Sequence, residues 1–198
     1  MVSEDQRLFI LKQTIMRILF ETERLVLKTL NSEYTETVQS YFAKNEQFFK
    51  PYMPTWSKNF LNFENIEKVL QEQWFKMHKK QMLHFYIFDI RDRAFQQILG
   101  DITFSNIVFG AFQSCFLGYK TNEKSCDKGI ATEAVGKACQ FVFEDMNLNR
   151  IEANIMPQNL ASQKVVEKLG FIREGLSLKY LKINGKWEDH YRYALING

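Results

Sequence analysis

Residues 124–134 read Lys-Ser-Cys-Asp-Lys-Gly-Ile-Ala-Thr-Glu-Ala, between an apolar alternating run and a run with helical spacing. The first turn of a helix has unpaired backbone N–H groups and the positive end of its dipole, and both favour an anion. Gly129 and Ala131 let a ligand come close to the backbone, and Lys124 and Lys128 add positive charge. Such a loop can hold a pyrophosphate. It can equally be an ordinary turn with Ser125 or Asp127 capping the helix. It is not a Walker loop, and no GxGxxG stands beside it. A second group lies downstream. Asn159 and Ser162 stand three apart at the start of a short helical run, which puts them on one face. Asn159 suits a helix cap, and Ser162 reads alone as an exposed helix serine. Strand alternation places Glu152, Asn154 and Met156 on one face of the segment before them.

Several elements must position these residues. Residues 23–30 alternate polar and apolar as a half-buried strand does, and Asn31 and Ser32 can cap a helix over 33–44. A proline-punctuated aromatic loop follows at 48–56, and residues 64–80 carry Ile66, Val69, Leu70, Trp74 and Met77 at helical spacing. Strands are expected at 83–90, 97–105 and 114–121, with His84 packing within the first. A helix is expected at 129–145, a strand at 150–156 and a helix at 160–169 closed by Gly170. Asn184-Gly185 is a two-residue hairpin signal, with a last strand over 187–196. Short connections make the early strands antiparallel. The strand–helix–strand unit over 114–156 requires a parallel pair with a right-handed crossover. The fold class is therefore mixed α/β (α+β).

Composition narrows the function. The chain has 198 residues, 45% apolar and 25% charged, which suits one globular domain with a full core. The net charge is +3, and Lys and Arg are spread among carboxylates, so direct nucleic-acid binding is not expected. No apolar run is long enough for a membrane span. Cys115, Cys126 and Cys139 form no CxxC pair, which suits a reducing cytoplasm. His78, His84 and His190 form no HExxH or Cys/His cluster, so no metal is expected. Residues 1–20 read as an N-terminal extension and 21–197 as the core of a single domain, monomeric or homodimeric.

Four stretches in this order resemble the GNAT superfamily of acetyl-CoA-dependent N-acyltransferases: Gly129-Ile-Ala-Thr-Glu-Ala after a strand, Arg150-Ile-Glu-Ala-Asn, Pro157-Gln-Asn-Leu-Ala-Ser and Leu169-Gly-Phe. Phe49-Lys-Pro, Ser105-Asn-Ile-Val, Leu117-Gly-Tyr, Met156-Pro-Gln-Asn and Asn184-Gly-Lys-Trp-Glu-Asp-His further resemble its RimJ branch, which acetylates the N-terminal alanine of a ribosomal protein. The resemblance implies a mostly antiparallel central sheet with one splayed parallel strand pair and helices on both faces. It implies acetyl-CoA as co-substrate and a protein N-terminus, ribosomal in that branch, as acceptor. The family's pyrophosphate loop reads Gln/Arg-x-x-Gly-x-Gly/Ala. Here Gly129 and Ala131 fit, Cys126 takes the first position, and Asp127 stands where relatives usually carry Gly.

By the same resemblance, the cofactor binds the backbone of Tyr119, Lys120 and Thr121, the loop residues Lys128, Gly129, Ile130, Ala131 and Thr132, and Asn159. Ser162 then gives a proton or hydrogen bond to the leaving thiolate. Some relatives use a tyrosine where this chain has Val166. Others place a catalytic Glu at the position of Asn154 or Leu181, which leaves Glu152, acting through water, as the nearby carboxylate. Phe49, Tyr52 and Trp56 either wall the acceptor pocket or pack the helices onto the sheet. Releasing a proton at neutral pH costs an α-amine about 1 kcal/mol and a lysine roughly 4–5 kcal/mol. A site without an evident carboxylate base therefore suits an N-terminal amine. Polyamines, amino acids and aminoglycosides are the other acceptors, and a non-catalytic acyl-CoA sensor or ribosome-assembly factor is the alternative class.

Overall fold

The structure, a computed structural model, describes residues 19–198. Up to residue 18, the expected extension lies outside the described residues. Eight strands and four helices are described: β1 (Leu19–Glu21), β2 (Leu25–Lys28), α1 (Thr35–Phe49), α2 (Phe63–His78), β3 (Leu83–Asp89), β4 (Gly100–Val108), β5 (Ser114–Thr121), α3 (Ile130–Glu144), β6 (Arg150–Ile155), α4 (Leu160–Lys168), β7 (Ile172–Ile183) and β8 (Lys186–Ile196). Three short 3-10 turns join them at Ser32–Tyr34, Lys50–Tyr52 and Glu123–Ser125.

The strands form one sheet in the order β1-β2-β3-β4-β5-β6-β8-β7. Every neighbouring pair is antiparallel except β5–β6, which is parallel and joined through α3. This is the mixed sheet expected of a strand–helix–strand unit inside a chain of short connections.

Side-chain alternation divides the core between the two faces of the sheet. Leu25, Leu27, Phe85, Ile87, Ile102, Phe104, Leu117, Ile151 and Ala153 pack against Ala134, Val135, Ala138 and Val142 of α3 and Val166 of α4. Val26, Tyr86 and Phe88 point the other way, into Val38, Tyr41, Phe42 and Phe49 of α1 and Ile66 and Leu70 of α2. The β3 strand is covered on both sides, so it is apolar almost throughout. Each fully buried Leu or Phe contributes about 1.5–3 kcal/mol.

Three boundaries depart from the sequence reading. Leu19–Glu21 pairs with β2 as an added edge strand. Helix α1 runs on to Phe49, because Tyr41, Phe42, Asn45 and Phe49 continue one buried stripe. Strand β4 passes through Ser105-Asn106, which look like turn residues. Asn106 takes φ 50° at a bulge, and the ladder resumes at Val108.

Candidate active site

Strand β5 is paired with β6 only from Ser114–Leu117 to Arg150–Ala153, and beyond that the two strands part. On its other side β5 stays bonded to β4 as far as Thr121. Over residues 118–121 the edge of β5 turned towards β6 therefore has backbone groups with no strand partner. A ligand amide chain can pair there as a short strand would.

Below this gap lies the loop before α3. Gly129 caps the helix at φ 75° and has no side chain to offer, so neither Ser125 nor Asp127 serves as the cap. Backbone N–H groups of the first turn are left uncapped by any side chain, and Lys124 and Lys128 stand nearby. Such a helix start can cradle an anion. Asp127 also takes a left-handed φ, 58°. Glycine takes this region most readily, and Asp is among the few other residues that tolerate it.

The loop is anchored from β2. The Arg24 guanidinium donates to the Lys128 carbonyl at 3.2 Å and pairs with Glu133 at 2.6 Å. Thr22 Oγ1 donates to the other Glu133 oxygen at 2.5 Å. Desolvation pushes the Glu133 carboxyl up, but these hydrogen bonds outweigh it and hold it below the usual carboxylate range. Nothing in the sequence pattern singled out Arg24.

Two hydrogen bonds fix Ser162 beside the gap. Asn159 caps α4 and accepts from the Ser162 N–H at 3.1 Å. The Tyr119 hydroxyl donates to the Ser162 carbonyl at 2.8 Å, reaching from β5 to α4. Burial pushes the Tyr119 hydroxyl well above its ordinary pKa, so it stays protonated as that donor. The Ser162 side chain is half-buried. Thr121 Oγ1 lies 3.7 Å from Cys126 Sγ, closing the lower rim.

On the opposite face Lys120 turns to Asp101 of β4, at 2.7 Å. Asp101 is only 1% exposed and also accepts from the Tyr41 hydroxyl at 2.9 Å. His84 is beside it, Nε2 at 3.5 Å from the carboxylate and Nδ1 at 3.0 Å from Thr103 Oγ1. Burial, only partly offset by Asp101 and aided by Lys120, lowers the His84 pKa to about 4.

The β6 candidates have separate roles. Glu152 is clamped between Arg150 Nε at 2.9 Å and Arg192 at 2.6 Å. Burial pushes its carboxyl up, but the two arginines win and hold it below the usual range. A carboxylate so paired has little affinity for another proton. Asn154 donates from Nδ2 to the Tyr180 hydroxyl at 3.2 Å, and its Oδ1 is buried with no partner among the described residues. An amide takes up no proton at neutral pH, so Asn154 can orient but not act as a base.

The aromatic residues divide as well. Phe49 is 3% exposed and packs against Tyr41 and Phe48, so it belongs to the core and does not wall an opening. Trp56 is half-buried, edge-on to Phe42 and stacked near Phe60. Tyr52 is exposed, next to the point where Asn184 Nδ2 of the β7–β8 hairpin donates to the Lys50 carbonyl at 2.5 Å. This strap joins the hairpin tip to the loop after α1.

Among the described residues no cluster of His, Cys, Asp and Glu could hold a metal, and no helix is long and apolar enough to cross a membrane.

Residues 24–172 match the acetyltransferase (GNAT) domain family. The chain is 36% identical over 155 residues to a probable N-acetyltransferase, YjcK, of Bacillus subtilis, covering 78% of this chain and 84% of that protein. It is 32% identical over 184 residues to the [ribosomal protein uS5]-alanine N-acetyltransferase of Escherichia coli, covering 93% of each. The crystal structure of ribosomal-protein-S5-alanine acetyltransferase from Vibrio fischeri superimposes with a TM-score of 0.85 at 32% identity, over 91% of this chain and 97% of that one. With a family match over most of its length and relatives this similar, the chain belongs to the GNAT family as an acetyl-CoA-dependent N-acetyltransferase similar to the ribosomal-protein-alanine acetyltransferases.

Proposed function

We propose that this enzyme acetylates the N-terminal α-amine of a protein, with a ribosomal protein as the first candidate, by direct attack of the amine. The observation that carries this reading is the state of Glu152. Both of its oxygens are committed to arginines, so β6 offers no ready carboxylate base. An α-amine, with an ordinary pKa of about 7.7–8.0, loses its proton far more readily than a lysine at about 10.4. The relative from Escherichia coli, similar over nearly the whole chain, is named for an alanine of ribosomal protein uS5.

Acetyl-CoA supplies the thioester carbonyl that the amine attacks. Its pyrophosphate fits the N–H groups from Lys128 to Thr132, and its amide arm fits the unpaired edge of β5 at Tyr119, Lys120 and Thr121. A β5 N–H donates to the developing oxyanion. Ser162, held by Asn159 and Tyr119, gives its hydroxyl proton to the departing sulfur. Tyr52 and Trp56 flank the acceptor entrance on the α1 side.

Product mass from a panel of N-terminal peptides, polyamines and aminoglycosides tests the acceptor. Acetylation of an Ala- or Ser-starting peptide at its α-amine is expected. Transfer to small amines alone would overturn the protein substrate. No transfer despite acetyl-CoA binding would favour the acyl-CoA sensor. Ser162→Ala is expected to lower kcat about tenfold to a hundredfold while the acetyl-CoA Kd stays within about twofold. An unchanged kcat would remove Ser162 from the mechanism.

A further inference from the structure

We infer that His190 takes the proton from the attacking amine. This deepens the acetyl-transfer reading above by assigning its base.

The argument begins with an irregularity in β7. Ser177 faces His190 and Leu181 faces Glu188, so three residues of β7 stand against Asp189 alone. Within this bulge Lys179 takes φ 48°. A lysine holds that conformation only where its surroundings enforce it. Here Asp189 Oδ1 accepts the Lys179 N–H at 2.8 Å. In a regular ladder continued from Leu181–Glu188, Tyr180 would oppose Asp189 and point away from His190. The bulge turns it inward instead. Tyr180 is half-buried between two exposed neighbours, accepts a hydrogen bond from Asn154, and lays its ring 5.5 Å from that of His190. Bulges that re-aim a side chain in this way recur next to active sites.

The histidine itself is prepared. His190 Nδ1 lies 3.0 Å from the Glu188 carbonyl oxygen. A carbonyl can only accept, so Nδ1 carries the proton and Nε2 carries the lone pair. No described residue hydrogen-bonds Nε2, and the side chain is packed into the sheet, with the residue 4% exposed. The ring therefore has a fixed tautomer, and its Nε2 lone pair is not engaged by any described residue.

Its place in the sheet fits the role. Asn154 pairs with Arg192 and Ile155 with Tyr191, so His190 stands one step further along, at the rim where β5 and β6 have parted. The ionisable groups facing it are Tyr180 from β7 and Glu188 and Arg192 along β8, while Asn154 of β6 is neutral.

The step balances as follows. The amine nitrogen bonds to the thioester carbonyl carbon, and one nitrogen-bound proton passes to His190 Nε2. The carbon–sulfur bond breaks, and sulfur leaves with the electron pair and takes a proton through the Ser162 hydroxyl. Solvent restores the serine proton and receives the one held by His190. Tyr180 is a positioning residue that holds the ring between β6 and β8.

The test compares variants on whichever amine the wild type acetylates, so a wrong acceptor class and a wrong base give different results. His190→Gln is expected to lower kcat about a hundredfold or more, with KM for acetyl-CoA within about twofold. Its residual rate should rise more steeply with pH than that of the wild type until the acceptor amine has lost its proton, because only amine deprotonated by bulk water can then react. A kcat within threefold of wild type, or a pH profile of unchanged shape, would overturn the assignment. Tyr180→Phe leaves the Glu188 contact in place and is expected to cost about fivefold to tenfold in kcat at constant KM for acetyl-CoA. Long-range nitrogen NMR of the enzyme without cofactor gives a reading independent of turnover. An Nδ1–H tautomer at His190 supports the proposal, and an Nε2–H tautomer overturns it.

Discussion

Two histidines share one face of the sheet, and their surroundings differ. His84 lies beneath α1 with Asp101, Lys120, Thr103 and Tyr41 around it, and its Nε2 is cut off from solvent without a hydrogen-bond partner. His190 lies on β8, between β6 and β7 in the sheet, and is just as fully buried. The same side chain types, His, Tyr, Lys or Arg and a carboxylate, occur in both places. Beneath α1 every strong charge is internally paired, and the cluster holds a helix to two strands. At the rim one nitrogen is left over. Both residues are almost fully buried, His84 5% and His190 4% exposed, so the difference teaches that the charges set around an imidazole, more than its burial, tell the two clusters apart.

The comparison can be broken by stability measurements. Asp101→Ala leaves Lys120 without its partner and Tyr41 without its acceptor, and should cost about 3–5 kcal/mol in urea denaturation. His190→Gln keeps an N–H donor for the Glu188 carbonyl and should cost less, about 1–2 kcal/mol in the same assay. Equal losses would erase the distinction between the two clusters.

The pH dependence sharpens it. His84 falls from the ordinary 6.5 to about 4 on folding, through burial first, with Asp101 opposing and Lys120 assisting. The unfolded chain therefore binds this proton more readily than the folded one. Its contribution to stability is complete above pH 6.5 and is lost as the pH falls towards 4, by about 3 kcal/mol in all. His84→Gln should flatten that part of the urea-midpoint profile. A variant profile as steep as the wild type would place the titration elsewhere.

A smaller effect is expected on the cofactor side. Arg24→Ala removes an exposed pair with Glu133 and one bond to the Lys128 carbonyl, so it should cost at most about 1 kcal/mol in stability. The loosened loop should raise KM for acetyl-CoA about threefold to tenfold. An unchanged KM would mean that the loop keeps its shape without β2.

The geometry of the proposed cofactor side was legible because it is local. Lys128-Gly129-Ile130-Ala131 carries its own glycine, small residue and helix start, and Asn159 lies three residues from Ser162, so spacing along the chain is spacing in the site. The hairpin at Asn184-Gly185 was equally local, with both residues at positive φ. The acceptor side depends on partners far apart in sequence. Asp101 meets Tyr41 across sixty positions, and Glu152 meets Arg192 across forty. Phe49 reads as a loop aromatic beside Pro51, yet it closes the buried stripe of α1. Tyr180 was beyond reach for another reason. A regular ladder from the Asn184-Gly185 turn puts it on the wrong face, and only the unforeseen bulge turns it round.

That bulge has a consequence beyond the site. Strand β7 is an outer edge of the sheet and exposes Ile172, Leu176, Leu178 and Leu181. A straight apolar edge of this length would be a template for another chain to add a strand and begin aggregating. Breaks in register at Arg173/Gly175 and Ser177/Leu181 divide it into short lengths, and Lys179 stands exposed at the second break. An intruding strand could pair with only a few residues before losing register. The kink that turns Tyr180 inward also guards solubility, so a substitution that straightened β7 would be felt in the yield of soluble protein as well as in turnover.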